Sequence, residues 1–327
     1  MGDRVLSDAR GVLICANPFS GSGPNRRHVH GLVGALSARG LEPRLMWDLE
    51  ERRAALADPG LENNCRCVVV AGGDGSIGAV VNELDQAGVL RAVHGQPGVA
   101  LATLPMGNEN LFAKHFGFTQ DPAALAEAIE LGRTRPVDLG RVTGRESESI
   151  SRLFTLMAGV GFDAEVVHRM DRWRATRGSR GAGSGGLKRV SRLSYLPRVV
   201  SSSLGYDYPR LTVEVDGREL KGTHLFVFNL PPYGGGLSIA PPGCRGDDGL
   251  LDWVLLDRPG LGPLLSYGWS VLRHRHLDRL DVMHGQAATL AVRCVSRPPI
   301  QVDGDPAGTA SAVFQVDGQA RLELLIT

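Results

Sequence analysis

The turn Gly72-Gly73-Asp74-Gly75-Ser76 stands between a continuous apolar run and a segment with helical spacing. Consecutive glycines let the backbone approach a ligand closely and present its N–H groups, and a helix N-terminus favours phosphate. Asp74 would repel that phosphate unless a cation lies between them, and a Mg²⁺ ion shared by Asp74 and the phosphates resolves the conflict. The alternative is a tight structural turn in which Asp74 serves as a cap.

Two more polar turns that contain glycine follow predicted strands. Their candidate ligand-binding residues are Asn17, Ser20 and Gly21 in the first turn, and Gly107, Asn108 and Asn110 in the second. Ligands of open α/β sheets collect at the carboxyl ends of the strands. We therefore expect all three turns to lie at one sheet edge and to hold one nucleotide. A Walker A pattern with its lysine does not occur, which disfavours a P-loop kinase.

Strand and helix patterns alternate over the first part of the chain. Strands are predicted at residues 11–16, 41–47, 65–71 and 98–104, and helices at 26–39, 50–56, 77–84 and 121–132. This alternation predicts a parallel sheet with helices on both faces. We expect this α/β domain to span residues 1–140.

Strand patterns dominate after about Arg141. Strands are predicted at residues 154–159, 210–215, 224–229, 250–256, 288–295, 300–302 and 322–326. Asp216-Gly217 and Asp303-Gly304 are dipeptides typical of hairpin turns. We expect a mostly antiparallel β domain over residues 141–327, and we leave open that its last strand returns to the first domain.

Composition narrows the class of protein. The 36 Lys and Arg residues nearly balance 35 Asp and Glu residues, so net charge favours no particular partner, and we expect no nucleic acid. The five cysteines form no CxxC pair, which fits buried, reduced thiols. We see no signal peptide and no apolar run long enough to span a bilayer. We therefore expect a cytoplasmic protein, with any membrane contact peripheral, on the inner membrane face.

Residues 169–198 form a basic segment in which Asp171 is the only acid. Anionic lipid headgroups would be attracted to it, and its apolar residues would help it to dock. Those apolar residues include Leu187, Leu193, Tyr195 and Leu196. A solvated insertion without a partner explains the same pattern equally well. Residues 274–279 form a smaller basic cluster, for which the solvated alternative carries more weight.

Short segments in a fixed order carry a specific resemblance. They are Asn17-Pro18 with Ser20-Gly21, residues 72–76, residues 105–113, residues 159–164, Asn229 with residues 233–236, residues 247–252 and residues 302–305. With these segments the sequence resembles the diacylglycerol kinase catalytic-domain family, which includes bacterial lipid kinases and sphingosine kinases. The family shares its nucleotide fold with NAD kinases and phosphofructokinases. The resemblance therefore implies an NAD kinase-like first domain and a β-sandwich second domain.

The resemblance also implies roles for individual residues. ATP would be held by Asn17 and residues 72–76, and Asp74 would act on the phosphates through Mg²⁺. Asp138 matches an acid near the metal and its water network. Asp248, with the carbonyls of Arg245 and Leu250, matches a structural Mg²⁺ site of bacterial members, and a simple turn is the alternative there.

The resemblance implies a general base at Asp305, where the family has Glu. A carboxylate can accept the proton of an attacking hydroxyl, whereas a plain hairpin turn is the alternative. The chain departs from the family pattern at Leu111, where the family has Asp, at Asn108, where it has Thr, and at Gly78-Ala79, where it has Asn-Glu. Leu111 removes a charge from the expected metal network.

The resemblance implies an ATP-dependent kinase that transfers the γ-phosphate to a lipid hydroxyl, with diacylglycerol or a similar lipid as the first choice. The lipid substrate would be met at the membrane surface. Two alternatives stay open: a kinase of a soluble hydroxyl such as the ribose of NAD, and a nucleotide-binding protein with impaired catalysis. A homodimer also stays open, although no motif indicates one.

Overall fold

A computed structural model describes residues 4–6, 9–17, 23–90, 99–145, 150–178, 205–309 and 311–327. The chain forms two compact units: Met1–Leu139 together with Asp317–Thr327, and Gly140–Val316. The boundaries fall within two long strands, β6 and β17, so that each of these strands contributes residues to both units.

The first unit alternates strands and helices. Its strands are β1 (Arg4–Val5), β2 (Gly11–Ala16), β3 (Glu42–Met46), β4 (Cys65–Gly72), β5 (Ala100–Pro105) and the first part of β6 (Arg133–Gly144). Its helices are α1 (Gly23–Ser37), α2 (Leu49–Leu56), α3 (Leu61–Asn64), α4 (Asp74–Gln86), α5 (Leu111–Phe116) and α6 (Pro122–Leu131).

The central sheet of the first unit is parallel, in the order β17-β5-β4-β2-β3. Every residue of β5 is buried, and β4 is buried except at Arg66, which explains why both strands read as continuous apolar runs. The carboxyl ends of β2, β4 and β5 therefore lie side by side, with Ala71 opposite Ala16 and Leu104. This is the parallel α/β sheet that the sequence predicts.

The second unit is dominated by strands. They are β7 (Ser151–Phe154), β8 (Met157–Val160), β9 (Leu211–Val215), β10 (Arg218–Gly222), β11 (His224–Phe228), β12 (Leu251–Leu256), β13 (Val282–Ala287), β14 (Thr289–Arg293), β15 (Pro299–Val302), β16 (Asp305–Thr309) and the first part of β17 (Ala312–Leu325). Its helices are α7 (Phe162–Gly178) and α8 (Leu261–Leu272).

Antiparallel pairing builds two sheets in this unit. One has the order β13-β12-β11-β8-β15-β16, and the other contains β10-β9-β14-β17. Side chains from both sheets share one apolar core, which includes Val160, Val213, Val227 and Phe314. Both predicted hairpin turns are confirmed: Asp216-Gly217 and Asp303-Gly304 have positive φ at both residues and join paired strands, as a tight hairpin requires.

The structure differs from the sequence prediction at several places in the second unit, and neither strand β13 nor residues 312–321 of β17 were predicted. The predicted strand 154–159 is interrupted at Thr155-Leu156, whose N–H groups turn towards a side chain rather than a strand. The helices α7 and α8 were not predicted. The low apolar content of α7 hid its buried face, whereas α8 has no charged residue and therefore lacks the usual polar side. Among the described residues, no helix has the length and apolar character to cross a bilayer.

Candidate active site

The turn after β4 contains backbone donors for which the described part of the chain supplies no acceptor. Helix α4 begins at Asp74, and its N-cap residue Gly73 has no side chain to bind the first turn. The N–H groups of Ser76 and Ile77 both donate to the carbonyl of Gly73, at 2.9 and 3.2 Å. For the N–H groups of Asp74 and Gly75, the described residues supply no acceptor. Two donors therefore stand at the positive end of a helix of 13 residues, the arrangement that favours a phosphate.

The Asp74 carboxylate is bound at the start of α5. The N–H of Leu111 donates to Oδ2 and the N–H of Phe112 donates to Oδ1, each at 3.0 Å. The N-cap residue of α5, Asn110, has a left-handed backbone with φ 51° and does not cap the helix with its own side chain. Asp74, the first residue of α4, therefore caps the start of α5. A cap is the structural alternative that the sequence allows for Asp74, and the helix that it caps is α5.

The turns after β4 and β5 are in close contact. A Cβ atom placed on Gly107 would lie 2.6 Å from the Cα of Gly73 and 2.8 Å from Oδ1 of Asn110. The Asn110 side chain closes its own turn, since it accepts from the N–H of Gly107 at 2.8 Å and donates to the Gly107 carbonyl at 2.9 Å. These glycines are required by the close approach of the two backbones. The structure thus brings together the turns at Gly72–Ser76 and at Gly107–Asn110, as their place at the ends of neighbouring strands predicts.

The turn after β2 reaches the same place through Asn17. Its Nδ2 donates to Oγ of Ser76 at 3.1 Å, and its N–H donates to the carbonyl of Ala71 at 3.1 Å. Asn108 is exposed. The candidates Ser20 and Gly21, and residues 179–198 of the basic segment, lie outside the described residues.

The candidate metal-binding residues lie in different surroundings. Asp138 is buried in β6, and its Oδ1 forms an ion pair with Nη2 of Arg321 at 2.8 Å. Asp248 is exposed, and its Oδ1 accepts the N–H of Leu250 at 3.1 Å, which forms a small turn. Arg245 directs its side chain to Asp247 at 2.9 Å. Over the described ranges, no cluster of three or more His, Cys, Asp or Glu side chains could hold a metal ion.

In the second unit, Asp305 is held by an arginine. Nη2 of Arg152 donates to Oδ2 of Asp305 at 3.1 Å, and Nη1 donates to the carbonyl of Pro306 at 3.1 Å. The Asp305 side chain is 45% exposed, so that solvent reaches it. The candidate base is thus oriented by one cation and accessible at the same time.

Asp303, which sequence reasoning treated only as part of a turn, is the centre of a hydrogen-bond cluster. Its carboxylate accepts the N–H and the hydroxyl of Thr155 at 2.8 and 2.9 Å, and the N–H groups of Leu156 and Met157 at 2.8 and 3.0 Å. Burial nevertheless raises the pKa of Asp303, against the lowering effect of these donors. The bonds from Asp303 fix the break between β7 and β8 and hold the turn that precedes Asp305.

A second partly buried acid, Asp163, joins three of the short segments. It accepts hydrogen bonds from the hydroxyl of Tyr233 and, at 2.9 Å, from Nε2 of Gln301, whose Oε1 accepts the N–H of Gly304 at 2.9 Å. Burial raises the pKa of Asp163 and that of Tyr233. The segments 159–164, 233–236 and 302–305 therefore meet in one network next to Asp305. The acids and the single Tyr of these segments were the available sequence signal.

Comparison with known proteins decides the family. Residues 11–142 match the diacylglycerol kinase catalytic domain, and residues 157–325 match the YegS C-terminal NAD kinase beta sandwich-like domain. A diacylglycerol kinase of Mycobacterium tuberculosis (strain ATCC 25618 / H37Rv) is 30% identical over 300 residues, which cover 90% of this chain and 88% of that protein. The chain belongs to the diacylglycerol kinase family. A second member, from Bacillus subtilis (strain 168), is 24% identical over 76% of this chain and 73% of its own.

The fold of this chain is similar to that of solved structures of diacylglycerol kinases. The crystal structure of a diacylglycerol kinase from Bacillus anthracis str. Sterne has a TM-score of 0.68 at 20% identity, over 98% of each chain. At this identity the likeness shows the fold alone. The family assignment makes the chain a relative of kinases, and hence of phosphotransferases.

The start of α4 has the groups that a kinase needs to bind phosphate and Mg²⁺. The open N–H groups of Asp74 and Gly75 suit phosphate oxygens. Mg²⁺ is usually bound by one or two carboxylates together with substrate phosphates, rather than by a cage of protein ligands. Asp74 therefore fits a metal that a bound nucleotide shares, and the missing cluster of acids does not conflict with that use.

Proposed function

We propose that this chain is an ATP-dependent lipid kinase that transfers the γ-phosphate to a hydroxyl of diacylglycerol or a similar lipid. The observation that carries the proposal is the pair of open N–H donors at Asp74 and Gly75, at the start of α4 and beside the Asp74 carboxylate. The similarity to diacylglycerol kinases at 30% identity supports the lipid acceptor.

On the nucleotide side, the α4 N-terminus would bind phosphate oxygens, with Ser76 and Asn17 as neighbouring polar groups. Asp74 would hold Mg²⁺, which, when bound, neutralises charge on the phosphates. The bonds from Leu111 and Phe112 orient the Asp74 carboxylate for that use before any ligand arrives. Asp138 and the Asp248 turn remain proposed secondary metal positions, each with a structural role of its own.

On the acceptor side, Asp305 would take the proton of the lipid hydroxyl as its oxygen attacks the γ-phosphorus. The bond between that phosphorus and the bridging oxygen to the β-phosphate breaks, and ADP leaves with the electron pair. The products are a lipid phosphate and ADP, with the proton on Asp305. Arg152 keeps the Asp305 carboxylate in place during this step.

The test is phosphate transfer by the purified chain from radiolabelled ATP, with Mg²⁺, to diacylglycerol, a sphingoid base or NAD. We expect label in a lipid phosphate and expect the Asp74→Ala variant to produce none. Label in NADP alone would refute the lipid acceptor. ATP binding without transfer to any acceptor, unchanged by Asp305→Asn, would instead identify a nucleotide-binding protein with impaired catalysis. Since the lipid lies in a bilayer, we further propose a cytoplasmic protein that visits the membrane surface.

A further inference from the structure

Helix α8 carries an exposed apolar face. Its sequence LGPLLSYGWSVL contains no charged residue. Leu265, Trp269 and Leu272 are 60%, 62% and 62% exposed, and their spacing of four and three residues places them on one side of the helix. Leu280, eight residues after the end of the helix, is completely exposed. Water therefore contacts three large apolar side chains on one side of the helix, with a fourth exposed in the segment that follows.

The helix is firmly anchored on its other side. Tyr267, Ser270 and Val271 are buried. The Tyr267 hydroxyl accepts the N–H of Arg258 at 3.1 Å and donates to the carbonyl of Asp281 at 3.3 Å. Arg279 lies over the Tyr267 ring, with its guanidinium carbon 4.8 Å from the ring centroid. The exposed leucines and Trp269 thus stand on a fixed support.

Positive charge borders the apolar face. Arg273 lies over the Trp269 ring at 5.3 Å, and both Arg273 and Arg275 are exposed. Neither arginine forms an ion pair within the parts of the chain that the structure describes. The nearby acids Asp257 and Asp281 are already paired, with Arg210 and Arg279, which leaves Asp278 as the exposed counter-charge.

We propose that Leu265, Trp269, Leu272 and Leu280, with Arg273 and Arg275, form a surface that docks the protein on an anionic phospholipid bilayer. An uncharged helix face with Trp near its end and arginines beside it matches the depth profile of a membrane interface, where the apolar side chains enter the acyl boundary and the cations meet headgroup phosphates. The proposal rests on the lipid kinase function, because a lipid substrate has to be reached in a bilayer.

This surface lies outside the basic segment at residues 169–198, which the sequence singled out for membrane contact. It overlaps the separate, smaller basic cluster at residues 274–279. There the structure separates the residues: Arg275 is exposed, whereas His276 is buried and Arg279 is bound to Asp281. Only part of that cluster is therefore available to a headgroup.

The test uses the full chain with vesicles of phosphatidylcholine, with and without phosphatidylglycerol. We expect binding to the anionic vesicles, and at least tenfold weaker binding for Leu265→Ser combined with Trp269→Ser. Arg273→Gln with Arg275→Gln should weaken binding to anionic vesicles about fivefold for each charge removed. Leu131→Ser is the matched control, because Leu131 is 55% exposed in the first unit, and its binding should not change.

Trp269 offers a direct readout. Brominated acyl chains should quench part of the tryptophan fluorescence, and Trp269→Phe should remove that part. Unchanged vesicle binding by the Leu265/Trp269 double variant would overturn the proposal. So would a double variant that alters only the oligomeric state, since a second copy of the chain would then cover the face.

Failure of docking and failure of the kinase can be told apart. A short-chain diacylglycerol that dissolves as monomers needs no docking, so the variants of α8 should phosphorylate it at the rate of the unchanged protein. If the unchanged protein phosphorylates no lipid, the proposed function fails, whereas sedimentation with vesicles still reports on the surface itself.

Discussion

The backbone N–H of Leu111 donates a hydrogen bond to the Asp74 carboxylate at 3.0 Å, and the N–H of Phe112 donates a second one to the other oxygen. The acid that the sequence assigns to a metal thus also caps α5. The residue that replaces the family Asp at position 111 contributes its backbone to the same contact. The two roles of Asp74 can be separated by substitution.

Replacement of Asp74 should affect stability and phosphate transfer differently. Asp74→Ala removes both acceptors and should lower the free energy of unfolding by about 1 kcal/mol, the usual contribution of a cap. Asp74→Asn keeps one acceptor oxygen and should cost less, yet it should abolish transfer because it cannot bind Mg²⁺ as a carboxylate does. Urea unfolding and the transfer assay measure the two effects. Full activity in Asp74→Asn would show that the charge is not needed.

Restoring the family acid should change the metal requirement. Leu111→Asp adds a carboxylate near Asp74, and a second charge close to a solvated cation is worth ~1 kcal/mol or more. We expect the half-saturating Mg²⁺ concentration for transfer to fall about fivefold. Leu111→Asn, of the same size without the charge, is the control. Equal Mg²⁺ dependence in both variants would place residue 111 away from the metal.

The contact between Gly73 and Gly107 predicts a strong response to a single methyl group. In Gly107→Ala the new Cβ would meet the Cα of Gly73 at 2.6 Å, which neither backbone can avoid without moving. We expect a loss of about 1–3 kcal/mol in the free energy of unfolding and weaker ATP binding. Gly34→Ala is the control, since it lies within α1 with nothing near its Cβ position, and should stabilise by about 1 kcal/mol. Unimpaired ATP binding in Gly107→Ala would argue against a nucleotide at these turns.

Substitutions at Asp305 and Arg152 should distinguish loss of the catalytic base from loss of its positioning. Asp305→Asn should lower kcat by about 10²- to 10⁴-fold with ATP binding unchanged, because general base catalysis is worth that much. Asp305→Glu should keep most activity. Arg152→Met leaves the carboxylate without its partner and should give a smaller loss than Asp305→Asn. A loss in Arg152→Met as large as that in Asp305→Asn would contradict this order.

Stability should depend on pH through His224. This side chain is 2% exposed, its Nδ1 accepts the N–H of Phe162 at 3.3 Å, and burial lowers its pKa from 6.5 to about 4. Between these values the unfolded chain binds the proton and the folded chain does not, so stability falls as pH is lowered through 6.5, and the loss is complete below about 4. The loss should reach about 3 kcal/mol. His224→Asn, which keeps an acceptor, should lack this part of the pH dependence of the free energy of unfolding. Urea unfolding between pH 4 and 7 measures it, and an equal dependence on pH in the two proteins would contradict the prediction.

Local patterns predicted much of the fold. The buried strands β4 and β5 follow from continuous apolar runs, and two hairpins follow from Asp-Gly pairs. The helix α8 was not predicted because both its buried and its exposed sides are apolar. Its sequence therefore lacks the alternation of apolar and polar residues with helical spacing. The helix α7 escaped because its arginines masked the few residues that pack inwards.

The part of the candidate site at the carboxyl ends of β2, β4 and β5 could be predicted from the sequence. Asn17 meets Ser76, and Gly107 meets Gly73, because the strands that precede them are adjacent in a parallel sheet. The cap that Asp74 provides for α5, and the bonds of Asp303 and Asp163, join residues far apart in sequence through side chains. Nothing in local spacing specifies such contacts, since they depend on how whole strands are placed.

The last part of β17 has a consequence for biosynthesis. Glu323 and Leu324 pair in parallel with Ala100 and Leu101, at one side of the central sheet of the first unit. The whole second unit lies between these partners in sequence. During translation, the side of β5 that receives β17 must wait until Glu323 and Leu324 have left the ribosome. Until then, β5 presents an unpaired edge, the stage at which a nascent chain is most open to chaperones and to aggregation.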